Sequence, residues 1–132
     1  MAEAAPKWKA GSVYWTELNT WEPETAAPFL EATLGWTVTS DVMADGTRYW
    51  VGMVDGVPVG GIFALTEPMF DKSIPAHWLT YFAVEDVDAT LEAIRSAGGA
   101  VIREPFDVPG VGRIAIIQEP TGAVSGYMRP AM

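Results

Sequence analysis

Few residues in this chain have the chemistry to form a reactive or binding site. Glu17 stands in the middle of VYWTELNT, an apolar, β-forming stretch from Val13 to Thr20. A charge there is costly unless it is paired or wet. Burial beside Trp15 would suit it to act as a general base, whose pKa must move towards neutrality. His77 is the only histidine and follows Pro75 at the start of a second such stretch. It ordinarily titrates near neutral pH, although a solvated histidine at a strand end is the plainer account of it. Trp15 and Tyr81 are candidates for stacking on a ligand, and core packing alone would equally account for both. Arg113, in GVGRIAI, either holds an anionic group or is an exposed strand arginine. The glycines of DGVPVGG, Asp55–Gly61, fit close strand packing at a hairpin better than a phosphate cradle, because no helix follows them. Cysteine is absent. Disulfides, thiolate metal sites and cysteine nucleophiles are therefore excluded, and a lone histidine excludes any site that needs two histidines from one chain.

The elements that must position these residues read as a repeat. Val13–Thr20 is expected to be a strand. Pro23 suits a first helical position, with acids around it where the helix dipole favours them. Phe29, Leu30, Thr33 and Leu34 supply an apolar face, and Gly35 can close the helix. Pro28 conflicts with a helix from Pro23, so either the helix begins near Pro28 or its first turn is irregular. Strands are expected at Trp36–Ser40, Arg48–Val54 and Val57–Leu65. Asp45-Gly46 and Asp55-Gly56 separate them as hairpin turns. A linker spans about 67–76. Then the order recurs: a strand at Trp78–Val84, then a helix capped by Asp86 with Val87, Leu91 and Ile94 at i, i+4 and i+7, closed by Gly98-Gly99. Strands at Ala100–Arg103, Gly112–Gln118 and Ala123–Met128 complete it. An offset of 64 residues lays Trp15–Gly35 on Leu79–Gly99 with only Thr16/Thr80 and Gly35/Gly99 identical. The order of elements, not their identity, carries the repeat.

Composition narrows the function classes. The 132 residues suit one domain, 1–132, with module one at about 12–66 and module two at about 77–130. Hydrophobic residues make up 49% and charged residues 19%, enough apolar content for a packed core. The formal charge of −9 repels phosphate backbones and anionic membranes, so no nucleic-acid partner is expected. The longest apolar run, Val57–Leu65, is about half of the roughly 20 residues a membrane helix needs. Met1–Ser12 lacks the apolar core of a secretory signal, so a cytoplasmic location is expected. Six tryptophans and six methionines suit an adaptable pocket lining, a core or a dimer interface.

A paired β-α-β-β-β module resembles the vicinal oxygen chelate superfamily of glyoxalases, bleomycin-resistance proteins and extradiol dioxygenases. The stretches WTELNTWEPETAAPFLEATLGW, HWLTYFAVEDVDATLEAIRSAGG and DVPGVGRIAIIQEPTGA, with the DGVPVGG hairpin, resemble its 27-kDa-antigen or hydroxylase-like branch. The resemblance runs from about Val13 to Arg129. It implies an α+β fold in which two βαβββ modules, related by a pseudo-two-fold axis, form an eight-stranded, incompletely closed barrel. It also implies a homodimer, because single-domain members of the family usually pair.

Metal-dependent members of the family place four ligands in the cleft, on the first and last strands of each module. Carried over by motif, those positions fall on Trp15, Gly60, Leu79 and Gly126, and none has a side chain that binds a metal. No metal and no cofactor are expected. By strand alternation Trp15 and Glu17 share one face, as do His77, Leu79 and Tyr81. The resemblance turns all five towards the cleft, with Gly60 and Gly126 as its floor. The function expected is binding of a small apolar or aromatic molecule by Trp15, Gly60, Leu79, Tyr81 and Gly126. The alternatives are a metal-independent lyase or isomerase using Glu17 or His77 as general base, and, third, metal-dependent glyoxalase or dioxygenase chemistry through a displaced ion.

Overall fold

The computed structural model describes residues 8–43 and 46–131. The first residue of the expected Asp45-Gly46 turn, and Met1–Lys7 of the N-terminal reading, lie outside the described residues. Ten elements follow in the order β1 (Val13–Thr20), α1 (Pro23–Leu34), β2 (Thr37–Val42), β3 (Arg48–Val54), β4 (Val57–Ala64), β5 (His77–Ala83), α2 (Val87–Ser96), β6 (Ala100–Val108), β7 (Gly112–Gln118) and β8 (Val124–Pro130). The α+β class and the twofold βαβββ order are those expected from the sequence. The chain divides into two compact units, Trp15–Leu79 and Thr80–Met132, the second also taking in the residues up to Tyr14.

In the first unit the strands run β2-β3-β4-β1, with β1 parallel to β4 and the other pairs antiparallel. Leu30, Trp50 and Ile62 form its core, with Leu18, Ala27, Trp36, Val38 and Ala64 packed against them. Helix α1 therefore covers the face that carries Leu18, Trp50 and Ile62. Alternation sends Trp15, Glu17, Tyr49, Val51, Gly61 and Phe63 to the other face. The helix begins at Pro23 and runs through Pro28, so the early start is the one adopted. It has no side-chain cap at Glu22, and it ends on Gly35 in left-handed geometry at φ 73. Beyond β4 the linker stays irregular, and the Trp21 indole donates to the Ile74 carbonyl at 2.7 Å. Asp55 and Gly56 make the β3–β4 turn with φ 52 and 77, the left-handed pair that an Asp-Gly hairpin requires.

In the second unit the order is β5-β8-β7-β6, with β5 parallel to β8. Val87 and Leu91 of α2 pack on Ala115 and Ile117, joined by Val84, Ile94, Val101 and Tyr127. The Asp86 carboxylate accepts from the Ala89 amide at 3.0 Å, which is the N-cap expected for this helix. Strand β6 differs from expectation. It runs to Val108, well past Arg103, with register shifts at Val101/Arg103 and Arg103/Phe106. Pro105 argues against a central strand, but within this unit β6 is an edge strand, where proline and bulges are tolerated.

Candidate functional site

Three side chains of the first unit form a hydrogen-bonded line on the face that α1 leaves uncovered. The Trp15 indole donates to the Tyr49 hydroxyl at 3.0 Å, and that hydroxyl donates to Glu17 Oε2 at 2.7 Å. Glu17 is only 8% exposed, whereas Trp15 and Tyr49 are half-buried. Burying a carboxylate is tolerated when strong donors meet it, and a short phenol bond is one. The backbone makes the line possible. β1 and β4 pair in parallel with Glu17 level with Gly61, and a Cβ on Gly61 would collide with the Tyr49 hydroxyl. Tyr49 is level with Phe63 on β4, so its ring lies along the sheet towards that glycine. Phe63 in turn meets Phe70 edge-on at 5.8 Å.

The register corrects one sequence expectation. Gly60 lies level with Gly52, and a Cβ on it would come within 3.0 Å of the Thr16 carbonyl and of the Trp36 ring. It therefore faces the helix-covered side, opposite to Glu17, and Gly61 is the glycine on Glu17's face. The β1–β4 register fixes this: Glu17 is level with Gly61 and Leu18 with Ile62, so Gly60 falls on the face of Leu18 and Ile62. A one-residue slip moves a side chain to the other face.

The other candidates are placed as follows. On β5, Trp78 meets Trp36 edge-on at 6.3 Å, so alternation gives His77 and Leu79 the opposite face from Trp78. The His77 Nδ1 lies 2.8 Å from the Pro75 carbonyl. A carbonyl only accepts, so Nδ1 carries the hydrogen. Leu79 is buried. In the second unit Tyr81 is level with Gly126, and a Cβ on Gly126 would collide with the Tyr81 ring. Gly126 is thus roofed by Tyr81. Arg113 is engaged by carboxylates: its Nε and Nη2 donate to Asp88 at 2.7 and 3.1 Å, and its Nη1 to Asp107 at 3.1 Å. The guanidinium holds the Asp88 carboxyl below its ordinary value of 3.8, and both carboxylates raise the arginine further. Two surface depressions, one lined by Glu67, Pro68, Phe70, Asp71 and Lys72 and the other by Gly98, Ala100 and Gln118–Gly122, contain none of the sequence-predicted residues.

Tyr49 was missed by sequence reasoning. The signal available was the Gly60-Gly61 pair, since adjacent glycines on a strand mark a close approach by something. Nothing in the sequence said that the approaching group was a phenol from β3.

The donor set does not fit the family's metal. Trp15, Leu79 and Gly126 offer no ligand atom, and moving the fourth position from Gly60 to Gly61 brings none. Among the described residues no three His, Cys, Asp or Glu side chains gather to hold an ion. No helix of the described residues is long and apolar enough to cross a membrane.

Comparison with known proteins accords with this architecture. Residues 12–124 match the model of the Glyoxalase/Bleomycin resistance protein/Dioxygenase superfamily. The chain is 42% identical over 123 residues to a Mycobacterium tuberculosis protein named "Putative glyoxylase CFP32", covering 93% of this chain and 46% of that one. It is 33% identical over 131 residues to "Anthracycline biosynthesis protein DnrV" of Streptomyces peucetius, covering 90% and 47%. The chain thus spans about half the length of the curated relatives it matches. Among solved structures, BH1468 from Bacillus halodurans has a TM-score of 0.73 at 11% identity, over 94% of this chain and 97% of that one. Streptomyces coelicolor methylmalonyl-CoA epimerase, bound to 2-nitronate-propionyl-CoA, has 0.68 at 19% identity, over 94% and 100%. These two share the fold. The match over residues 12–124 decides the family: the chain belongs to the Glyoxalase/Bleomycin resistance protein/Dioxygenase superfamily.

Proposed function

We propose that this chain is a metal-independent, small-molecule-binding member of its superfamily, with the Trp15–Tyr49–Glu17 line at the centre of the site. One observation carries the reading: a carboxylate 8% exposed is held at 2.7 Å by a half-buried tyrosine on the face that α1 leaves uncovered. Val51, Met53 and Phe63 occupy that face by alternation and are half-buried. Apolar walls around a few fixed polar groups are the usual character of a ligand site. Leu79, Tyr81 and Gly126 remain candidate ligand contacts, and His77 a secondary one. The relative named for anthracycline biosynthesis supports an aromatic ligand, because anthracyclines are polycyclic aromatics. The glyoxylase name of the mycobacterial relative points instead to carbonyl chemistry, which in this superfamily uses the metal that these residues do not accommodate. A homodimer belongs to the same proposal, and the outward Phe29 and Leu34 of α1 are surfaces it would cover.

The test is calorimetric titration with a panel of small aromatic compounds, after dialysis against chelator and metal analysis. Saturable binding by metal-free protein, weakened on the order of tenfold by Trp15→Ala, is the expected result. A stoichiometric divalent ion that survives dialysis and is needed for binding would overturn it. The same burial of Glu17 favours one second reading, a general base acting on a bound substrate. Glu17→Gln separates the two: a binder keeps most of its affinity, whereas an enzyme keeps affinity and loses turnover.

A further inference from the structure

Asn19 is the last β1 residue to face away from α1. It follows Trp15 and Glu17 at the same two-residue step and lies level with Phe63 on β4, which is in turn level with Tyr49 on β3. The residue is 6% exposed, as deeply buried as Glu17. A carboxamide can make about four hydrogen bonds, through two N–H groups and the lone pairs of its oxygen. Among the described residues the Asn19 amide makes one, from Nδ2 to the Glu17 carbonyl at 3.4 Å, longer than a good N–H···O bond. That contact fixes the sense of the amide, because an oxygen turned towards the same carbonyl would meet another acceptor. One N–H and the oxygen Oδ1 are left without a protein partner among the described residues.

Burying an amide in this condition costs stability that leucine or valine at the same position would not. Ser125 also buries an unmet group, its Oγ, but it lies level with Ile117, inside the core beneath α2. Asn19 instead stands on the face that α1 leaves uncovered, two residues from Glu17. Two half-buried rings border it: Phe63 in the same row, and Phe70 edge-on against Phe63 at 5.8 Å.

We propose, resting on the binding function above, that Asn19 selects the polar end of the ligand. That end is a neutral group that both donates and accepts, as in an aromatic carboxamide or lactam. Asn19 Oδ1 receives the ligand N–H, and the remaining Asn19 N–H donates to the ligand carbonyl. A ketone of the same shape meets only the N–H and leaves Oδ1 unmet, and a hydrocarbon leaves both. A buried polar group left unmet costs more than a good bond gains, so selection among such ligands is sharper than the number of bonds suggests. Phe63 and Phe70 supply the apolar wall for the aromatic part. Asn19 is thereby a specificity-determining residue, and the stability it forgoes is offset only when such a ligand is bound.

Three naphthalenes of nearly equal shape test this by calorimetry: 2-naphthamide donates and accepts, 2-acetylnaphthalene only accepts, and 2-isopropenylnaphthalene does neither. Wild-type protein should bind 2-naphthamide at least about fivefold more tightly than 2-acetylnaphthalene. In Asn19→Leu that preference should vanish or reverse, and 2-isopropenylnaphthalene should become the tightest of the three. The thermal midpoint of the ligand-free variant should rise by about 3 °C, whereas replacing a residue with a purely structural role would lower it. Asn19→Val, smaller and β-branched, is the companion variant should leucine overfill the position, and it should lose the same preference. Equal affinities for amide and ketone within about twofold in the wild type, a preference for the ketone, a preference for the amide that survives in folded variants, or a midpoint lowered in both variants would overturn the inference alone. Failure of all three compounds to bind would overturn the binding function itself, and this inference with it.

Discussion

In both modules a parallel pair of strands sets a glycine level with a first-strand residue: Glu17 beside Gly61 and, 64 positions on from Glu17, Tyr81 beside Gly126. In both, an aromatic ring occupies the space that a Cβ would need. The source of the ring differs. In module two it belongs to Tyr81 itself, the residue paired with the glycine. In module one it comes from β3, and Tyr49 brings its hydroxyl to Glu17. A glycine under an aromatic ring thus roofs a strand in one module and assembles a polar line in the other. The residue at the Glu17/Tyr81 position decides between them, and fold alone would not have shown it.

The comparison is sharpened most by the largest expected effect, which concerns the shared part. Ile62 and Ile117 are 0% and 1% exposed beneath α1 and α2 respectively. Ile62→Ala and Ile117→Ala should each cost about 3 kcal/mol in urea unfolding, because each leaves a cavity in an equivalent helix-on-sheet core. Costs differing by more than about 2 kcal/mol would show that the two cores are not equivalent supports.

The glycines should then separate the modules. Gly126→Ala drives a Cβ into Cδ1, Cε1 and Cγ of Tyr81, near the base of that side chain, and should cost about 2 kcal/mol of stability. Gly61→Ala meets the hydroxyl, Cζ and Cε2 of Tyr49, the far end of a side chain that can swing aside. Its stability cost should be about 1 kcal/mol, while affinity for a small aromatic ligand falls by more than Gly126→Ala lowers it. Similar losses of affinity in both variants would remove the functional distinction between the modules.

The helix starts provide a smaller contrast. Asp86→Ala removes the side-chain cap of α2 and should cost about 1 kcal/mol. Glu22→Ala at the start of α1, where no side-chain cap bond exists, should change stability by only a few tenths. Equal costs would mean that the capping geometry does not distinguish the helices.

These contrasts also show what the residues disclosed in advance. Asp86 with Val87, Leu91 and Ile94 carries a cap and a helical period together, and Asp55-Gly56 carries a turn requirement that few other dipeptides meet. Both are local, so both were readable. β6 runs past Arg103 because Pro105 is a breaker only where a ladder bond is needed, and the edge position that excuses it is set by topology. Glu17 and Trp15 were recognisable because alternation on one strand is local. Gly60 was misplaced and Tyr49 overlooked for one common reason. What a residue meets across a ladder depends on register, and the registers that set Glu17 level with Gly61 and Tyr49 level with Phe63 leave no mark in composition or period.

The smallest effect compares the two ways in which the modules hold a carboxylate. Glu17 is buried, whereas Asp88 is 59% exposed and gripped by Arg113, itself 35% exposed. The Arg113 bonds lower the folded-state pKa of Asp88 below its ordinary 3.8. A lowered folded value means that the unfolded chain binds the proton first as pH falls. The stabilisation is therefore complete above the ordinary aspartate range and is lost as pH drops through the lower, folded value. Asp88→Asn should abolish this contribution, so the variant and the wild type should differ at pH 6 and converge towards pH 2 in thermal unfolding. Solvent screens an exposed pair, so the difference at pH 6 should be small and shrink further in about 0.5 M salt. A gap that widens on acidification would reverse the sign and show that Arg113 does not favour the charged form of Asp88.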